Sequence, residues 1–256
     1  MEYYLKNIDN GSILENLKNS IVKEELKVYY QPRINILNES IIGMEALLRW
    51  NNISPSKVIA LAEQSNLIYE ISDYVTKIAC EETSLWNLKK GKNLILSVNI
   101  SAKQFENRNF IFWLTDILYE TGFNPEQLEI EITENIAVRN IERTVEILRE
   151  LKALGIKIAL DDFGTGYSSF KYLNKLPIDI IKIDKSFVDG ITLDKKQEII
   201  VSKIIEMAHC LNLKVIAEGV ELFEQFQMLK KLNCDEAQGF YFSKPLRSSE
   251  FEKLII

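Results

Sequence analysis

Six carboxylates, two amides and a lysine punctuate the sequence, the first eight at or just beyond the end of a β-branched run and the last opening one: Glu45, Asn99, Glu131, Asp161, Asp162, Lys182, Asp184, Glu218 and Gln238. Glu45, Asn99, Glu131, Asp161 and Asp162 offer oxygen donors only, the ligand set taken by hard divalent cations such as Mg2+ or Mn2+. Two such ions about 3.5–4 Å apart are a common apparatus for displacement at phosphorus. Lys182 can neutralise charge in this set, or hold a phosphoryl oxygen or an attacking water. Arg49, four residues after Glu45, has the planar fork that suits a phosphate. The chain contains a single histidine, His209. Histidine-clustered metal sites are therefore excluded, and acid–base work falls to carboxylates and lysines. Together these residues point to metal-assisted hydrolysis of a phosphate ester, with the ester still unnamed.

The elements that must position these groups follow from length and pattern. The chain has 256 residues, 46% apolar and 27% charged, which suits one α/β barrel with a sizeable core. A net charge of −6 argues against a general binder of DNA or RNA. Three scattered cysteines without a Cys-x-x-Cys motif fit a reducing compartment. No apolar run is long enough to span a bilayer, and the first residues lack a signal core, so a cytoplasmic location is expected.

The runs at 93–100, 128–133, 157–160, 179–183, 214–217 and 239–242 are mostly continuous and apolar, as in parallel strands covered on both faces. Helical periodicity marks 57–65 after Ser54-Pro55, 139–154 before Gly155, 195–211 and 223–232. Only Leu37-Asn38-Glu39 separates the strand-like runs 27–36 and 40–48. Such a connection makes a hairpin, never a parallel crossover. Repeated β-then-α units suggest a parallel barrel or a doubly wound sheet, and the hairpin adds one antiparallel strand to an otherwise parallel barrel. In such a barrel the C-terminal strand ends converge on one mouth, where active sites lie. Any one of these polar strand ends alone could be a cap or a loop residue.

The same residues carry a family resemblance. Tyr29-Tyr30-Gln31-Pro32, Glu45-Ala46-Leu47-Leu48-Arg49-Trp50, Ser97-Val98-Asn99-Ile100-Ser101 and Glu131-Ile132-Thr133-Glu134 come first. Then follow Asp161-Asp162-Phe163-Gly164-Thr165-Gly166-Tyr167-Ser168-Ser169, Lys182-Ile183-Asp184, Ala217-Glu218-Gly219-Val220-Glu221 and Ala237-Gln238-Gly239-Phe240. In this order they resemble the EAL-domain cyclic di-GMP phosphodiesterases, from about residue 13 to the end. The resemblance implies a modified TIM (β/α)8 barrel with an antiparallel first strand, and hydrolysis of one phosphodiester bond of cyclic di-GMP to linear pGpG, with two ions of Mg2+ or Mn2+. It implies Glu45, Asn99, Glu131 and Asp161 as first-metal ligands, with Asp161 bridging and Asp162 on the second metal. Glu218 and Lys182 then position or deprotonate the water, with the formal base left open. Gln31, Leu48, Arg49, Glu221 and Gln238 match substrate contacts, and Asp184 stands behind them. Glu134 matches an anchor of the loop 163–170, which the family links to metal-site order and to a homodimer. Residues 1–11 read as a lead-in to a domain over 12–256, and sensory or GGDEF domains are expected if the chain is part of a longer protein.

Two departures stand out. Asn51-Asn52-Ile53 leads straight to Ser54-Pro55, where the family usually has a longer loop with His-Pro and Gly. Arg33 stands where the family more often has an apolar residue, and reads as a solvated charge at the barrel end or an added phosphate contact. His209, within a helical pattern, reads as a surface or packing histidine. A catalytically silent receptor for cyclic di-GMP is the alternative function, and a pure interaction barrel a weaker one, since neither requires this full polar set.

Overall fold

Two strands joined by a tight turn start the ring. β1 (Lys27–Asn35) and β2 (Ile41–Arg49) pair antiparallel, with Gln31 opposite Glu45. Asn35 shapes the turn, its Oδ1 accepting from the backbone of Leu37 and Asn38 at 3.0 and 3.2 Å. The structure is a computed structural model and describes residues 10–23, 25–51, 53–165 and 170–255. Most of the expected lead-in lies outside these residues.

After β2, each parallel strand adds to the last: β3 (Ile95–Asn99), β4 (Leu128–Thr133), β5 (Lys157–Phe163), β6 (Ile180–Ile183), β7 (Lys214–Ala217) and β8 (Glu236–Ala237). β1 closes the ring by pairing antiparallel with β8, Ile34 opposite Ala237. β9 (Leu246–Arg247) binds β1 outside the eight-stranded ring. The antiparallel first strand and the barrel expected from the sequence are both present.

The connecting helices are α1 (Asn10–Val22), α2 (Pro55–Ser65), α3 (Ile68–Lys90), α4 (Ala102–Phe105), α5 (Phe110–Thr121), α6 (Glu134–Arg139) and α7 (Ile141–Ala153). They continue with α8 (Phe170–Leu173), α9 (Lys185–Val188), α10 (Lys195–Cys210), α11 (Phe223–Lys231) and α12 (Ser248–Leu254). None of the helices among the described residues is long and apolar enough to cross a membrane. Outward strand residues such as Met44, Leu96, Ile130, Ile132, Leu160, Ile181 and Val215 are fully buried beneath the helices. Each such side chain contributes about 1.5–3 kcal/mol of transfer free energy.

Two sequence expectations need correction. The helical pattern 139–154 is broken at Asn140, whose Oδ1 accepts from Arg143 N at 3.3 Å and starts α7 anew. The run 239–242 is not a strand: the last barrel strand is Glu236–Ala237, and the chain turns at Gly239. A Cβ there would stand 2.1 Å from the Val220 carbonyl oxygen, so glycine permits a backbone approach that a strand residue could not.

Inside the ring, strand alternation stacks side chains in layers. Arg33 belongs to the lower one and is 2% exposed, so it is neither a solvated charge nor a phosphate contact at the mouth. Its Nη1 lies 2.5 Å from Glu129 Oε1 and 3.0 Å from Ser97 Oγ, and its Nε lies 2.8 Å from Glu236 Oε2. Ala159, Ile180 and Ile216 fill the rest of this layer.

Candidate active site

One residue pair further along each strand, the inward side chains change character. β2, β3 and β4 deliver Glu45, Asn99 and Glu131, with Asn99 level with Glu131. β6 delivers Lys182 from the other side, 1% exposed. Its Nζ lies 2.6 Å from Glu131 Oε2, 2.6 Å from Glu218 Oε1, 3.4 Å from Asp161 Oδ1 and 3.9 Å from Glu45 Oε2. Four strands thus send a carboxylate to one ammonium. Both oxygens of Glu45 are held: Oε1 accepts from Asn99 Nδ2 and Oε2 from Gln238 Nε2, each at 2.6 Å. Gln238 Nε2 also lies 3.2 Å from Gln31 Oε1, and Gln31 Nε2 donates to the Ser243 carbonyl at 3.2 Å. Residues far apart in sequence therefore form one chain of hydrogen bonds around the mouth.

β5 brings two adjacent carboxylates by an irregularity. Its register with β6 shifts between Leu160 and Phe163, and Asp162 takes a φ of +55°. A left-handed aspartate inside a strand is uncommon and marks a local conformation held by its surroundings. Asp161 then reaches Lys182 while its Oδ1 accepts from the Asp162 amide at 2.9 Å.

Charge is mismatched in this layer. Burial disfavours the Lys182 ammonium, but Glu131, Glu218, Glu45 and Asp161 outweigh it and hold its pKa well above the lysine range. Burial pushes Glu131 well above the ordinary carboxylate value and Glu218 up to about 8, against the pull of Lys182 in each case. Glu45 is also desolvated, yet Lys182 and the amides of Asn99 and Gln238 bring its pKa below normal. Burial, then Asp161 and Asp184, raises Asp162. Among the described residues, no three His, Cys, Asp or Glu side chains are already gathered at metal-ligand spacing, because the carboxylates face Lys182 instead. The donor chemistry nevertheless fits a hard divalent cation: oxygens only, with more carboxylates than the one ammonium can neutralise.

The remaining expected residues sit around this centre. Arg49 is at the rim, Nη1 donating to the Leu48 carbonyl at 2.8 Å. Leu48 is 8% exposed and faces the core with Trp50 and Val58, while also reaching a neighbouring cavity. Glu221 is an exposed rim residue paired with Lys185. Asp184 caps α9, its Oδ1 accepting from Ser186 N at 3.0 Å. Glu134, buried at the start of α6, accepts from Gly164 N through Oε2 at 3.3 Å. Residues 166–169 of the loop lie outside the described ones. His209 is exposed at the end of α10, Nε2 2.9 Å from Asp235 Oδ2, as a surface histidine would be.

The sequence did not disclose the cavity itself. It measures about 650 Å3 and opens between the ends of β2 and β3 and helices α2, α3 and α6. Leu47, Leu48, Arg49, Asn99, Ile136 and Arg139 are among its walls, so it meets the polar layer at Asn99. Its apolar residues carry ordinary helical spacing, which gave no signal of a concave site.

Comparison with known proteins places this geometry. The family model described as "EAL domain" matches residues 14–245. The chain is 38% identical to the signaling protein YkoW of Bacillus subtilis, over 99% of this chain and 33% of that protein. It is 36% identical to the bifunctional diguanylate cyclase/cyclic di-GMP phosphodiesterase MucR of Pseudomonas aeruginosa, over 93% of this chain and 36% of that protein. The chain therefore spans about a third of the length of these curated relatives. Among solved structures it is similar to the MucR phosphodiesterase in complex with c-di-GMP, with a TM-score of 0.89 and 36% identity over 93% of this chain and 98% of that one. An EAL domain protein from Listeria monocytogenes gives a TM-score of 0.83 at 34% identity, over 97% and 98% of the two chains. With that pattern matched along nearly its whole length and the barrel shared, the chain belongs to the EAL domain family.

Proposed function

We propose that this chain hydrolyses one phosphodiester bond of cyclic di-GMP to give linear pGpG, with two Mg2+ or Mn2+ ions. The observation that supports this above others is the ring of Glu45, Glu131, Asp161 and Glu218 around Lys182 at the barrel mouth, in a member of this family. Glu45, Asn99, Glu131 and Asp161 would hold the first ion, and Asp161 with Asp162 the second. Ions bound there supply Lewis-acid stabilisation of charge developing at phosphorus.

The chain's own groups do the rest. Lys182 keeps its proton because four carboxylates surround it, so it donates hydrogen bonds to the attacking water or a phosphoryl oxygen. Glu218, its side chain 20% exposed on the open side of Lys182, accepts the proton that the water loses. The water oxygen bonds to phosphorus as the bond to the leaving sugar oxygen breaks, and that oxygen takes up a proton. Asn99 and Gln238 fix the Glu45 carboxylate. Gln31, Leu48, Arg49, Glu221 and Gln238 orient the dinucleotide, with Asp184 and Glu134 supporting the site, and the adjoining cavity accommodates a base.

The proposal extends to a homodimer in the cytoplasm, with residues 12–256 as the catalytic unit and sensory or GGDEF domains in a longer protein. To test the reaction, the purified chain is incubated with cyclic di-GMP and Mg2+ or Mn2+, and pGpG is sought by chromatography. Turnover is expected. Tight binding without turnover would establish the receptor alternative instead.

A further inference from the structure

β9 is two residues long and outside the ring, and its pairing with β1 shows what it carries. It sets Arg247 opposite Tyr29, and Arg247 Nε donates to the Tyr29 phenol oxygen at 2.9 Å. The same ring carries the Arg49 guanidinium, whose Cζ lies 5.9 Å from the ring centroid, within cation–π range. Alternation along β1 puts Tyr29 in the same inward series as Gln31, one step nearer the mouth, opposite Leu47 of β2. Arg247, Tyr29 and Arg49 thus form a stack from the outer strand to the rim of the site.

We propose that Tyr29 and Arg247 are positioning residues for Arg49: Arg247 fixes the Tyr29 ring, and the ring holds the guanidinium where a phosphate of the dinucleotide arrives. This role rests on Arg49 being a substrate contact in the reaction proposed above. A free arginine surrenders several rotatable bonds when it grips an anion, whereas a stacked one has surrendered most of them already. Pre-organisation of one such side chain corresponds to about two- to tenfold in affinity. β9 then serves the site although it contributes nothing to closure of the barrel.

The test measures KM, kcat and the Kd of cyclic di-GMP, together with Tm, for Tyr29→Leu, Tyr29→Phe, Arg247→Met and Arg49→Ala. Tyr29→Leu should raise KM and Kd about two- to tenfold with kcat little changed. Tyr29→Phe and Arg247→Met remove the same hydrogen bond and should show equal, smaller losses; Tyr29→Phe keeps the ring, so its fold is preserved. The decisive arm is the double variant: once Arg49 is alanine, Tyr29→Leu should add no further loss. Losses that multiply in the double variant, or a Tyr29→Leu chain that binds like wild type, overturn the proposal. A wild-type chain that neither binds nor hydrolyses cyclic di-GMP overturns the parent reaction as well, and is recognised by failing before any variant is compared.

Discussion

Lys182→Met isolates the charge imbalance at the barrel mouth. The lysine is 1% exposed and makes 2.6 Å contacts to Glu131 and Glu218, with Asp161 and Glu45 within 4 Å. Removing one partner of a buried ion pair costs about 3–5 kcal/mol, because the other charge is stranded. Glu131 and Glu218 can escape part of this by taking up protons, since burial already raises both. The low end, about 3 kcal/mol, is therefore expected at pH 7. For a chain of this size each kcal/mol moves Tm by about 2–4 °C, giving a fall of about 6–12 °C in EDTA. Mg2+ or Mn2+ at a hundred times its Kd should return about 2.7 kcal/mol if it binds only the folded chain. Adding Glu131→Gln to the variant should also restore part of the loss, by removing a stranded carboxylate. The measurement is thermal unfolding by circular dichroism, in chelator and with metal. A variant within about 2 °C of wild type in EDTA, or a further drop on adding Glu131→Gln, would refute the view that Lys182 holds these carboxylates together.

Glu45→Gln should lower turnover by more than about 100-fold, the loss that even outer partners of a metal can produce, while a pGpG assay and Tm show the fold intact. Metal-free stability should depend on pH through Glu218. Its folded value of about 8 lies above the unfolded carboxylate value near 4.3, so the folded chain binds more protons between these limits. Stability in chelator should therefore fall as pH rises from about 5 to about 8, and Glu218→Gln should flatten that slope; a slope of opposite sign would contradict the assignment. Gly239→Ala would place a Cβ 2.1 Å from the Val220 carbonyl oxygen and 2.3 Å from its nitrogen. Because both are backbone atoms, the variant should lose about 1–3 kcal/mol in urea unfolding and also weaken turnover by shifting Gln238.

What was legible in the sequence depended on how local its cause is. Parallel strands are continuous apolar runs, and a three-residue gap forces a hairpin, so the barrel and its antiparallel β1 could be read directly. Glu45, Asn99, Glu131 and Lys182 were recognisable because each ends such a run. Which groups bond to one another was not, since the bonds from Gln238 to Glu45 and from Gln31 to Ser243 span 193 and 212 positions. Arg33 misled for a related reason. A lone arginine in a strand reads as exposed until Glu129 and Glu236, 96 and 203 positions away, are seen to meet it inside the barrel. β9 was missed because two residues carry no periodicity at all.

The two inner layers also explain why the site lies where it does. Below, Arg33 sits between Glu129 and Glu236, with Ser97 completing the contact and Ala159, Ile180 and Ile216 closing the remainder. Charge there is nearly matched by the chain itself, and the layer can stay dry. One step higher, a single ammonium faces carboxylates from β2, β4, β5 and the end of β7. Burying unmatched charge is expensive, and nothing in barrel closure demands it. The same ring could have placed an arginine in the upper layer, as it does below, and gained stability. In the reaction proposed above, cations from solution would complete that layer and then draw in an anionic dinucleotide, which gives its shortage of positive charge a use.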